Sequence, residues 1–98
     1  MFLDYYSGER GKTCIENSHV IRSKEECMTA IQKLGYQPVG DFWSKKNDRI
    51  PSGCSIRSGS LKPHFETSPT GLGTGRDDLT PICIIPENTG NFCLIICL

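Results

Sequence analysis

The hydrophobic positions of this chain are spaced for one helix and several short strands. Cys27, Ala30, Ile31 and Leu34 recur at intervals of three and four, while Lys24, Glu25, Gln32 and Lys33 mostly take the positions between them. That period lays an apolar stripe along one helical face. Ser23 with Glu26 three positions later is the pattern of a capping box, and Gly35 is a natural stop. The spacing predicts a helix over residues 24–34, with Cys27 turned toward the core.

Around it the pattern changes to short extended runs. The β-branched pair Val20 and Ile21 predicts a short strand from His19 to Arg22 that feeds directly into the helix cap. Residues 36–43 carry Tyr36, Val39, Phe42 and Trp43 but are broken by Pro38 and Gly40, which fits an irregular segment or an edge strand. A polar loop follows from Lys45 to Ser52. Cys54, Ile56 and Leu61 then alternate with Ser55, Arg57 and Ser60 about a turn at Ser58-Gly59, the pattern of a half-buried hairpin. From Thr67 to Asp78 the residues are mostly Gly, Thr, Ser, Pro and Asp without periodicity, which predicts a long exposed loop. Leu79 to Ile85, with Ile82, Cys83, Ile84 and Ile85 between Pro81 and Pro86, reads as a short buried strand closing the sheet.

These elements predict an α+β fold: one helix packed on a small, mainly antiparallel sheet, loop-rich and stapled by disulfides, in a single domain of residues 1–86. Residues 87–98 form a separate apolar tail ending Phe92-Cys93-Leu94-Ile95-Ile96-Cys97-Leu98. This run is far shorter than the roughly 20 residues a bilayer span requires. It fits a last strand, the beginning of a truncated hydrophobic anchor, or a product of a mistaken gene model.

Composition sharpens the picture. A chain of 98 residues buries only about 60 to 65% of its unfolded surface, and 10 Gly and 6 Pro leave a modest core that needs covalent help. Six cysteines, at 14, 27, 54, 83, 93 and 97, supply it. They are spread without CxxC pairs, which favours disulfides over zinc and an oxidising setting: secreted, cell-surface or lumenal. The start Met1-Phe2-Leu3-Asp4-Tyr5-Tyr6 has no basic region, long apolar stretch or cleavage site, so it does not read as a secretory signal. The two readings agree if the chain is a mature piece, an incomplete gene model or a domain of a longer secreted protein. Lys plus Arg and Asp plus Glu each number 11, so no net field draws the chain to nucleic acid or to an anionic bilayer.

Cys14, then Ser23-Lys24-Glu25-Glu26-Cys27 with Ala30 and Leu34-Gly35, then Pro51-Ser52-Gly53-Cys54 and Pro81-Ile82-Cys83 follow one another in an order with a parallel elsewhere. Over residues 14–83 the chain resembles a cysteine-rich module of secreted and cell-surface proteins in algae, other protists and cnidarians. A looser likeness is to apple-type adhesion modules, which pack a helix across a small sheet. The resemblance implies a part of a multidomain ectodomain rather than an enzyme. It also implies two bridges, Cys14 with Cys83 and Cys27 with Cys54, whose loops would contribute at most about 4.4 and about 3.6 kcal/mol by chain entropy. Cys93 and Cys97 are left to pair with each other, to join another chain or to stay reduced. The chain departs from the pattern at Lys62-Pro63-His64-Phe65, where related sequences commonly carry an aromatic followed by Asn.

Candidate chemistry is sparse. Cys54 with His64, or Cys14 with His19, would supply part of a zinc site but not four clustered ligands. Neither histidine has the context of a thiol nucleophile. The glycine-rich run from Gly71 to Arg76 lacks the closing Gly of a dinucleotide loop and the Lys-Ser/Thr of a phosphate loop. Glu66 with Asp77 and Asp78 offers carboxylates without calcium-loop spacing. No Asn-x-Ser/Thr sequon is present.

Tyr5, Tyr6, Phe42, Trp43 and Phe65 supply flat rings for a sugar or protein partner, although the plainer reading has Phe42 and Trp43 filling the core. The expectation is a non-catalytic extracellular binding or assembly module with no cofactor, metal or catalytic residue. It would bind a protein or glycan partner, not nucleic acid, through Trp43, Phe65, Arg76, Asp77 and Asp78. The alternatives are an accessory subunit docked into a larger, membrane-associated complex by its apolar tail, and a small thiol-based enzyme.

Overall fold

The computed structural model describes residues 4–68 and 71–86. Helix α1 spans Lys24–Lys33 and starts where Ser23 Oγ accepts the Glu26 amide at 3.1 Å. Only that half of the expected capping box forms, because the Glu26 carboxylate instead accepts the Tyr5 hydroxyl at 3.0 Å. At the other end the amides of Gly35 and Tyr36 reach back to the carbonyls of Gln32 and Ile31 at 3.0 and 3.1 Å. These two bonds satisfy carbonyls left over by the last turn and stop the helix at its glycine.

The helix packs on a five-stranded mixed sheet in the order β1-β5-β3-β4-β2. The strands are β1 (Asp4–Ser7), β2 (Trp43–Lys45), β3 (Gly53–Arg57), β4 (Pro63–Glu66) and β5 (Leu79–Ile85). All neighbours are antiparallel except β2 and β4, which run parallel. The protein is therefore a small α+β fold.

Several expectations need correction. Strand β1 falls where the sequence reading placed no element, and it forms one edge of the sheet. Strand β5 does not close the sheet but lies inside it, between β1 and β3. Pro81 is tolerated there because its carbonyl, and hence its missing N–H, faces Gly8, one residue past the end of β1; the Gly8 amide donates to it at 2.8 Å. The strand expected at His19 to Arg22 is instead a short 3₁₀ turn, Asn17–His19, followed by a single bridge from Val20 to Cys83. Val20 takes up the pairing of β5 where β3 runs out, since the last β3 contact on that side is Cys54 with Ile82.

The hairpin forms between β3 and β4, with Ile56 opposite Pro63 and Cys54 opposite Phe65. Leu61 belongs to its turn, at φ 56°, rather than to its second strand.

Register sorts the side chains onto two faces. On the helix side, Cys54, Ile56, Phe65 and Ile82 pack with Ile21, Cys27, Ala30 and Ile31 in the main core. On the other side a second cluster, Cys14, Val20 and Cys83 with Tyr6 and Leu72 against it, lies under loops. The segment from Thr67 to Asp78 is irregular, as expected, yet it is tied down. Ser52 donates to the Leu72 carbonyl at 3.0 Å and Thr74 to the Ile50 carbonyl at 3.1 Å. The Arg22 guanidinium reaches the carbonyls of Ser68 and Gly71 at 3.3 and 3.2 Å.

Both disulfides form with the pairing that the resemblance implied. Cys14–Cys83 joins the N-terminal segment to β5, and Cys27–Cys54 joins α1 to β3 across the core. Two buried bridges suit an oxidising compartment. No helix among the described residues is long and apolar enough to cross a membrane. Cys93, Cys97 and the apolar tail lie outside the described residues.

Candidate binding surface

Trp43 opens β2, at the edge of the sheet opposite β1. Parallel pairing places it beside His64 of β4, and the two rings stack at 5.4 Å between centroids and 29° between planes. Trp43 is half-buried, so it neither fills the core nor stands free; its neighbour Phe42 packs against the main core. His64 is only 5% exposed. Burial holds its pKa below 6.5, an effect the Arg76, Lys62 and Arg57 charges reinforce against the Lys62 carbonyl that accepts from its ring. A neutral imidazole thus backs the indole near pH 7.

Two lysines adjoin Trp43, and a third lies over its neighbour Phe42. Lys45 lies two residues beyond Trp43 on the same face of β2 and is exposed. The Lys62 ammonium donates to the Asp41 carbonyl at 2.8 Å, just ahead of Trp43. The Lys24 ammonium sits over the Phe42 ring at 5.5 Å from its centroid.

The other expected binding residues do not converge on one site. Phe65 is 8% exposed and belongs to the main core, so it offers little surface to a partner. Arg76 and Asp78 pair with each other at 2.5 Å, and Arg57 joins them at 3.1 Å from Asp78. The Asp78 carboxyl lies below its usual range, chiefly because Arg76 hydrogen-bonds to it. Asp77 is exposed beside them.

Of the three carboxylates weighed for calcium, Asp78 is held by Arg57 and Arg76, Asp77 stands exposed, and Glu66 is engaged inside the fold. Glu66 is 1% exposed and accepts from the Asn47 amide at 2.7 Å, the Ser68 hydroxyl at 2.6 Å and the Ser68 amide at 3.2 Å. It braces the two loops that flank β4. Cys14 and Cys54, the cysteines weighed as zinc ligands, are both oxidised.

Two features escaped the sequence reading. His64 and Lys62 reach Trp43 only through the parallel β2–β4 pairing, which no local pattern announces, whereas Lys45 lies on Trp43's own strand. A cleft of about 370 Å³ lies beside β1, lined by Tyr6, Gly8, Glu9, Lys12, Ile15 and Leu72 among others. Its lining includes Tyr6, whose hydroxyl is 2.6 Å from His19 Nδ1 and whose pKa is raised chiefly by burial. No family model, curated protein or solved structure matches the chain.

Proposed function

We propose that this chain is a non-catalytic binding or assembly module of a secreted or cell-surface protein, and that it engages a protein or glycan partner at the β2 edge of its sheet. The observation that carries this reading is the Trp43–His64 stack. A large ring already held against a buried partner on a strand loses little conformational freedom when it binds, and aromatic anchors of this kind dominate recognition surfaces. The cysteine-rich motif order and the two disulfides support an extracytoplasmic setting.

The test is binding of the fluorescently labelled, oxidised protein to intact cells and to extracellular matrix. Trp43→Ala should abolish retention while leaving the protein folded with both disulfides in place, and Trp43→Phe, which keeps a ring on His64, should restore part of it. Retention unchanged by Trp43→Ala, or none by the wild type, would overturn the reading.

A further inference from the structure

We propose that the surface around Trp43 binds an anionic saccharide, one bearing sulfate ester or carboxylate groups on a chain of sugar rings. This rests on the reading of Trp43 as a binding residue and adds the class of its ligand.

A pyranose presents an apolar C–H face that suits a flat aromatic ring. Trp43 is such a ring, and His64 fixes its tilt from behind. The two lysines flanking it supply the charge preference. Lys62 is held in place by a neutral carbonyl, that of Asp41, and Lys45 is exposed on the face that carries Trp43. Among the described residues neither lysine is paired with a carboxylate, whereas Arg57 and Arg76 share Asp78. Lys45 stands opposite Glu66, whose buried carboxylate is taken up by Asn47 and Ser68, so the ammonium groups of Lys45 and Lys62 remain open to anions that a sugar chain would bring.

A balanced overall charge argues against a densely charged polymer drawn in from a distance. It suits a ligand that combines ring stacking with a few local ion pairs.

The chain contains a single tryptophan, so its emission reports on this surface alone. The probe is a sulfated dextran oligosaccharide, compared with uncharged dextran of the same length and with an oligoglutamate peptide. The expected result is a saturable change in Trp43 emission with the sulfated sugar. It should weaken as salt rises from about 0.01 M to about 1 M, which shortens the screening length from about 30 Å to about 3 Å. Lys45→Gln and Lys62→Gln should each weaken binding about two- to fivefold, the size of an exposed ion pair. Lys12→Gln, at the cleft beside β1, should leave it unchanged.

No emission change, an equal response to uncharged dextran, or an equal response to oligoglutamate would each overturn the assignment. If cell and matrix retention still depends on Trp43 while the sulfated probe is silent, the ligand class falls and the binding reading stands. If retention is absent as well, both fall.

Discussion

Gly53 lies directly beneath the backbone of Ile21: a Cβ built on it would stand 2.4 Å from the Ile21 carbonyl oxygen. Gly53 also has φ +74°, a conformation that side-chain-bearing residues rarely adopt. This contact lets the segment leaving the 3₁₀ turn cross the start of β3 and place Val20 against Cys83. Gly53→Ala should therefore cost more than about 2 kcal/mol, from strain and displaced backbone together. Gly59→Ala, with φ +81° but nothing within 4 Å of its Cβ, should cost only about 1 kcal/mol. Urea denaturation of both variants checks the contrast, and equal losses would contradict the crossing contact.

The two disulfides should differ from what loop length alone dictates. Cys27–Cys54 closes the shorter loop but lies in the main core, so replacing both its cysteines by Ala removes packing as well as a cross-link. Its loss should cost at least as much as that of Cys14–Cys83, against chain-entropy values of about 3.6 and about 4.4 kcal/mol. Stability measured on the two double variants decides whether packing or loop entropy dominates.

Access to these sulfurs is a separate matter. All four cysteines are 3% exposed or less, and thiol exchange requires an attacking thiolate to reach a sulfur. Reductant with an alkylating reagent should leave Cys14, Cys27, Cys54 and Cys83 unlabelled until denaturant is added. Peptide mapping by mass spectrometry reads the outcome, and labelling without denaturant would show that the bridges open in the native state.

His64 makes stability depend on pH. Its folded pKa lies below 6.5, so as pH falls the unfolded chain takes up this proton first. The stability it contributes is complete above about pH 6.5 and is lost progressively below that, toward its folded pKa. Asp78 acts in a more acidic window, since its folded pKa lies below 3.8. The melting temperature should drop between pH 7 and pH 5, and His64→Asn should flatten that part of the profile. An unchanged slope in the variant would assign the effect elsewhere.

Glu66 is a buried carboxylate held by three hydrogen bonds and paired with no cation among the described residues. Glu66→Ala should destabilise the fold by about 2–4 kcal/mol because it strips the Asn47 and Ser68 amides of their acceptor. Hydrogen exchange at those two amides should accelerate more than at the centre of β3. Ser55 provides the opposite case: its hydroxyl is buried without a partner, so Ser55→Ala should be neutral or stabilising by up to about 1 kcal/mol.

Helix α1, the hairpin and β5 were legible because each is written locally. The stripe of Cys27, Ala30 and Ile31 closes within the helix, Ser23 and Gly35 mark its ends, and β5 is a continuous apolar run. The expected pairing of Cys14 with Cys83 and Cys27 with Cys54 is the one that forms, although cysteine spacing by itself leaves the pairing open. Tertiary structure alone decided the rest. Strand β1 is polar enough to pass for a loop and becomes a strand only against the edge of β5, which supplies its hydrogen bonds. The surface at Trp43 depends on a parallel pairing with β4, a non-local contact that reveals itself neither in composition nor in period. Local propensity selects elements that satisfy themselves; elements and sites whose stability comes from a distant partner exist only once the chain has brought that partner alongside.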